Sequence, residues 1–65
     1  LRAERAVAAL GYRVLRVRCE GDHARIEIGR PDLARGLEHE RSLVDAARAA
    51  GFRTAAVDPA GYRGA

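Results

Sequence analysis

The stretch Tyr12-Arg13-Val14-Leu15-Arg16-Val17-Arg18-Cys19-Glu20-Gly21-Asp22-His23-Ala24-Arg25-Ile26-Glu27-Ile28 decides the fold. From Tyr12 to Cys19 the residues alternate. Arg13, Leu15, Val17 and Cys19 fall on one face of an extended strand, and Tyr12, Val14, Arg16 and Arg18 on the other. Ala24, Ile26 and Ile28 alternate in the same way with Arg25 and Glu27, and Glu20-Gly21-Asp22 reads as a turn between the two runs. This pattern predicts a β-hairpin. Two registers fit it. A two-residue turn at Glu20-Gly21 pairs Arg18 with His23 and Arg16 with Arg25; a four-residue turn pairs Arg16 with Glu27 and Arg18 with Arg25. Both preserve parity, so either one sets Leu15 and Val17 beside Ala24, Ile26 and Ile28. Either also gathers Arg16, Arg18, Arg25 and Glu27 on the opposite face.

Upstream, Ala3, Ala6, Val7 and Leu10 recur at helical spacing, and Gly11 stands where a helix-ending glycine belongs. Downstream, Gly29-Arg30-Pro31-Asp32 opens a helix with Pro31 near its first position. Leu33 and Leu37 form its apolar stripe, and Gly36 interrupts it. A further helix, capped by Ser42 with Asp45 three residues on, carries Leu43, Val44, Ala47 and Ala50 inward and stops at Gly51. Phe52–Asp58 is the third strand, and Pro59 to Gly64 leaves the sheet as a loop or tail. Leu10-Gly11-Tyr12-Arg13 and Ala50-Gly51-Phe52-Arg53 echo each other as helix end, glycine, aromatic, arginine. The order is thus α-β-β-α-β. It predicts an α/β fold, a small two-layer sandwich in which helices cover one face of a three-stranded mixed or antiparallel sheet and bury Leu15, Val17, Ile26, Ile28 and Val57.

Residues 1–65 fit a single domain, whose core is thin because a chain of this length buries only about 60% of its unfolded surface. The balance of 48% hydrophobic and 32% charged residues suits a folded domain rather than a disordered tail. No apolar run is long enough to span a bilayer and no signal-peptide pattern opens the chain, so a cytoplasmic setting is expected. The lone Cys19 rules out a disulfide within the chain and any CxxC metal pair. The net charge of +3 invites a nucleic-acid reading, but all twelve basic residues are Arg, nine carboxylates are scattered among them, and few aromatics intervene. Nucleic acid is therefore a minor alternative.

Two arginines directly opposite each other are unfavourable unless an anion or a carboxylate lies between them. Arg also clamps phosphate in bidentate fashion. Aligning the two echoed segments places Asp58 on the same face, next to the end of the third strand. One reading of that face is an anion site, with phosphate the expected anion, flanked by carboxylates suited to a cation. The other is a solvated face whose charges pair with Glu27 and Asp58, and spacing alone favours it, since antiparallel sheets often leave one face wet. His23 and His39 lack partners at ligand spacing and read as solvated. Cys19, on the apolar face, reads as a buried, inert thiol. Glu4 lies beside the apolar stripe of the first helix. Gly61-Tyr62-Arg63-Gly64 is too short for a phosphate loop.

Several pieces form an ordered series: Val14-Leu15-Arg16-Val17-Arg18, Ala24-Arg25-Ile26-Glu27, Pro31-Asp32-Leu33-Ala34, Ala50-Gly51-Phe52-Arg53 and Asp58-Pro59-Ala60-Gly61-Tyr62-Arg63-Gly64. In order and spacing the series resembles the C-terminal region of the ATP-dependent sacrificial sulfur transferases (LarE-type) of the PP-loop ATP pyrophosphatase superfamily, over nearly the whole chain. The resemblance implies an enzyme that uses ATP and Mg²⁺ to adenylylate a carboxylate of a pyridinium mononucleotide and then transfers sulfur to it. That chemistry builds the nickel-pincer cofactor of lactate racemase. In the best-known type the sulfur comes from a cysteine of the enzyme.

The family's SGGxDS phosphate loop and donor cysteine belong to its N-terminal domain. Neither occurs in this sequence, and Cys19 lies outside the donor motif. The expectation is a C-terminal domain that is inactive alone, holds no cofactor itself and works with an N-terminal PP-loop domain in a homo-oligomer. Arg16 and Arg18 match the RVR arginines, expected with Arg25 to bind a phosphate-bearing small molecule. Glu27 matches the glutamate of ARIE and Glu4 an acid on the preceding helix, expected with Asp58 in an acidic or metal site. Gly61, Tyr62 and Arg63 match a motif of unassigned role. With the resemblance added, a functional open face is favoured over a merely wet one. The alternative class is a stand-alone module that self-associates through a sheet edge.

Overall fold

A computed structural model describes residues 11–62. The expected first helix, with Glu4, and the last three residues, Arg63, Gly64 and Ala65, lie outside the described residues. Strands β1 (Leu15–Glu20) and β2 (His23–Ile28) are followed by helices α1 (Arg30–Glu38) and α2 (Glu40–Ala49) and by strand β3 (Thr54–Val57). The described order is therefore β-β-α-α-β. The sheet is mixed. Strand β2 lies at its centre, antiparallel to β1 and parallel to β3. A parallel neighbour demands a long crossover, and the two helices supply it across one face.

The hairpin closes on the pair Glu20 and His23, with Gly21 and Asp22 as its two-residue loop. Gly21 has φ +65° while Asp22 does not leave the negative region. Glycine at the first loop position is the order a II′ turn requires. The resulting register pairs Arg16 with Glu27 and Arg18 with Arg25, the second of the two that parity allowed. The Asp22 carbonyl accepts from the Arg53 amide at 2.8 Å, so the hairpin tip also anchors the start of β3.

Val17, Ala24, Ile26, Ile28 and Val57 are buried with Leu43 and Ala47 of α2 and with Tyr12, and Leu15, Leu33 and Phe52 pack around them. Glycine readings need correction. Helix α1 runs through Gly36 without a break. Gly36 is buried so close to β2 that a Cβ there would collide with the Ile28 side chain. It is the point at which helix meets sheet. Leu37 is correspondingly turned outward and Leu33 packs inward. Helix α2 begins at Glu40, with His39 as N-cap and no side-chain cap, so Ser42 lies inside the first turn. Val44 is only half-buried and Ala46 takes its place against the core.

Helix α2 ends as its sequence implies. Gly51 has φ +116°, its amide bonds the Arg48 carbonyl and the Phe52 amide bonds the Ala47 carbonyl. That pair of bonds is a Schellman motif. Gly11 has φ +89°, and its following aromatic, Tyr12, also enters the core. Because Phe52 and Arg53 are spent on this reversal, β3 is confined to Thr54–Val57.

The segment after β3 leaves the sheet as a loop, as expected, but comes straight back to it. Asp58-Pro59-Ala60-Gly61 forms a β-turn, with the Gly61 amide on the Asp58 carbonyl at 3.0 Å and the Ala60 amide on Asp58 Oδ1 at 2.9 Å. Asp at the first position, Pro at the second and Gly at the fourth suit a type I turn. Tyr62 then rejoins the ladder, its amide donating to the Ile28 carbonyl at 2.9 Å.

Candidate functional site

The face away from the helices carries Arg16, Arg18 and Glu20 from β1, His23, Arg25 and Glu27 from β2, and Thr54 from β3. The register places Arg18 directly opposite Arg25, an unfavourable pair if left alone. Glu27 resolves it. Its Oε1 accepts from Arg18 Nε at 2.9 Å, and its Oε2 lies 3.6 Å from Arg25 Nε. Arg25 also reaches Glu20, Nη1 to Oε2 at 3.5 Å. The Glu27 side chain is only 11% exposed, whereas those of Arg18 and Arg25 are about half exposed. A carboxylate under a canopy of guanidinium groups is the result.

Arg16 is placed differently. It stands opposite Glu27 in register, yet among the described residues no carboxylate pairs with it. Its guanidinium instead lies 5.9 Å from the centroid of the Tyr62 ring, at the outer limit of a cation–π contact. Tyr62 arrives there because the Asp58 turn returns the chain to Ile28. Gly61 makes that return possible: its φ is +74°, and a Cβ would lie 2.9 Å from the Ile28 carbonyl oxygen.

Arg16, Arg18, Arg25 and Glu27 are thus brought together on the open face, and Tyr62 joins them. Asp58 is not drawn into the arginine network, because its carboxylate is engaged in its own turn. Glu4 and Arg63 lie outside the described residues. Among the described residues no three His, Cys, Asp or Glu gather closely enough to hold a metal ion. His23 Nδ1 hydrogen-bonds Thr54 Oγ1 at 2.8 Å across the β2–β3 pair, and His39 is exposed at the helix junction. Cys19 is exposed, not buried: its parity is that of the core, but it sits near the end of an edge strand.

Sequence reasoning missed the part of Glu20, which shares the parity of Arg16 and Arg18 and stood in plain view as a turn residue. It also missed four contacts outside the face. Glu40 Oε2 accepts from the Val57 amide at 2.8 Å, on the side of β3 away from β2. A charged group there occupies an edge donor that another strand would need. On the far side of α1, the Arg35 guanidinium covers the Tyr12 ring at 4.2 Å and bonds the Gly11 carbonyl, while Asp32 Oδ2 takes the Arg13 amide at 3.1 Å.

Compared with known proteins, the chain matches no family model and no curated protein. No helix among the described residues is long and apolar enough to cross a membrane.

Proposed function

We propose that the chain is the C-terminal accessory and assembly domain of an ATP-dependent sulfur transferase acting on a carboxylate of a pyridinium mononucleotide in nickel-pincer cofactor synthesis. In this reading it contributes an anion-binding face, Arg16 and Arg18 contacting a phosphate group and Arg25 completing the positive rim. ATP, Mg²⁺ and the catalytic apparatus belong to a PP-loop domain with which it works. The observation that carries the reading is convergence: residues from RVR, ARIE and GYR, separated in sequence by up to 46 positions (62 − 16), lie around one patch.

The test is a titration of the 65-residue chain with pyrophosphate and with a pyridinium mononucleotide, followed by NMR of backbone amides and arginine Nε–H groups. Saturable shifts centred on Arg16, Arg18 and Glu27 support the proposal. Shifts confined to an edge strand that vanish on dilution would favour self-association instead. Strong, steeply salt-dependent binding to oligonucleotides would favour the nucleic-acid alternative.

A further inference from the structure

The three arginines of the open face are not equivalent, and the difference lies in one carboxylate. Glu27 engages Arg18 at 2.9 Å and Arg25 at 3.6 Å, while Arg16 keeps only an aromatic neighbour among the described residues. A carboxylate and a phosphate oxygen are chemically alike as acceptors for a guanidinium, so whatever holds one excludes the other from the same N–H groups. The Glu27 side chain is nearly covered, and its charge is therefore screened less than that of an exposed residue.

We propose that Glu27 is an internal competitor for the anion: it takes the Nε–H of Arg18 and offsets the charge of Arg25, and an incoming phosphate lands first at Arg16 and must then displace it. This rests on the reading of the face as anion-binding and adds to it a regulation of that face. Glu27 thus lowers the intrinsic affinity of the patch while holding the opposed pair Arg18 and Arg25 in place. It selects for ligands that bring more negative charge than one carboxylate can offset, so pyrophosphate is favoured over a monoanion such as acetate. The assignment differs in sign from a role for Glu27 as a metal or acid group, under which its removal weakens binding.

The experiment measures pyrophosphate affinity by NMR titration at low, fixed ionic strength for wild type, Glu27→Gln and Glu20→Gln. Both variants remove one negative charge from the same face, but Glu20 is about half exposed and, among the described residues, its carboxylate pairs with Arg25 at 3.5 Å. Glu27→Gln is expected to bind about four-fold tighter or more, the effect of one unit charge at ~5 Å in a water-like dielectric. Glu20→Gln is expected to change affinity by less than about two-fold. Binding by Glu27→Gln when wild type shows none supports the proposal in its strongest form.

Unchanged or weaker binding by Glu27→Gln overturns the proposal while leaving the anion-binding reading intact. Equal tightening by both variants overturns it too, reducing the effect to net charge. Absence of binding by all three chains overturns the anion-binding reading and the competitor with it. Should the amide variant not fold, Glu27→Asp carries the test. It keeps the charge but withdraws it by one methylene from Arg18, and is expected to tighten binding by a smaller factor; no tightening overturns the proposal.

Discussion

The two faces of β2 are built from alternate residues of one short strand, and they are held by different physics. On the covered face Ala24, Ile26 and Ile28 are fully buried, and their contribution scales with area removed from water. On the open face Arg25 is exposed while Glu27, its neighbour but one, is nearly buried under arginine side chains. The lesson is that a face left uncovered by α1 and α2 is not thereby a wet face. Long guanidinium arms can cover a carboxylate almost as a helix covers an isoleucine. What is lost on mutation differs accordingly: stability on one side, ligand affinity on the other.

The largest effect belongs to the covered face. Leu43 is fully buried between α2 and the sheet. Leu43→Ala is expected to cost about 2–5 kcal/mol, comparable with the ~3–5 kcal/mol that a core of this size supplies. The variant should be largely unfolded at 25 °C, as read by circular dichroism and urea titration. A cooperative transition with an unchanged midpoint would break the comparison at its stronger end.

Gly61 links the faces and comes next. Gly61→Ala forces a side chain into the left-handed region and towards the Ile28 carbonyl, at a cost of about 1–3 kcal/mol. The prediction has a second arm: Tyr62 shifts from Arg16, so ring-current shifts at Arg16 should collapse even where the domain stays folded. Retention of those shifts would mean that the turn does not position the ring.

Much of this was legible beforehand, and the failures are instructive. From Leu15 onward the hairpin and its two faces were readable because parity survives any even change of register, but Tyr12 and Arg13 precede β1, and Tyr12 enters the core while Arg13 is exposed, against the expected alternation. The αL stop at Gly51 was readable because a helix end, a glycine and an apolar residue make a local motif. Gly36 was misread because a helical glycine signals a break until its packing partner is known, and Ile28 lies eight residues away. Strand order and the parallel pairing of β3 depend on where the helices cross, which no local pattern encodes. Asp58-Pro59-Ala60-Gly61 carried a readable turn signature, but its return to the Ile28 carbonyl is a long-range fact. Cys19 shows parity correct and burial wrong, since it lies next to the end of an edge strand. At the site, the grouping of the arginines was legible, but the choice of Glu27 between three of them was a matter of side-chain geometry.

A third use of charge lies away from both faces, where Asp32 fastens the segment before β1 to the first turn of α1. The Arg13 amide holds its carboxyl below the usual value, with Arg35 adding to the effect and burial opposing it. A lowered folded pKa means that this stabilisation is fully present above the unfolded value, near 3.8, and is lost as pH falls through the folded one. Acid titration of wild type against Asp32→Asn should show the variant less stable at neutral pH, with a smaller further loss below about pH 4. Identical acid limbs would show that the carboxylate fastens nothing.

The smallest effect tests whether proximity alone makes an ion pair matter. Arg53 Nη1 and Asp22 Oδ2 lie 3.8 Å apart with side chains 82% and 68% exposed, against 2.9 Å and a covered acceptor for Arg18 and Glu27. Exposed pairs contribute about 0–1 kcal/mol because solvent screens them and ordering two side chains offsets the attraction. Arg53→Ala should therefore leave the urea midpoint within about 0.5 kcal/mol of wild type and pyrophosphate affinity unchanged. The Asp22 carbonyl still accepts the backbone amide of residue 53 in that variant, so the anchor of β3 survives. A loss of several times this size would place the strength of the hairpin tip in its side chains instead of its backbone, and would remove coverage as the property that separates the Glu27 network from an ordinary surface pair.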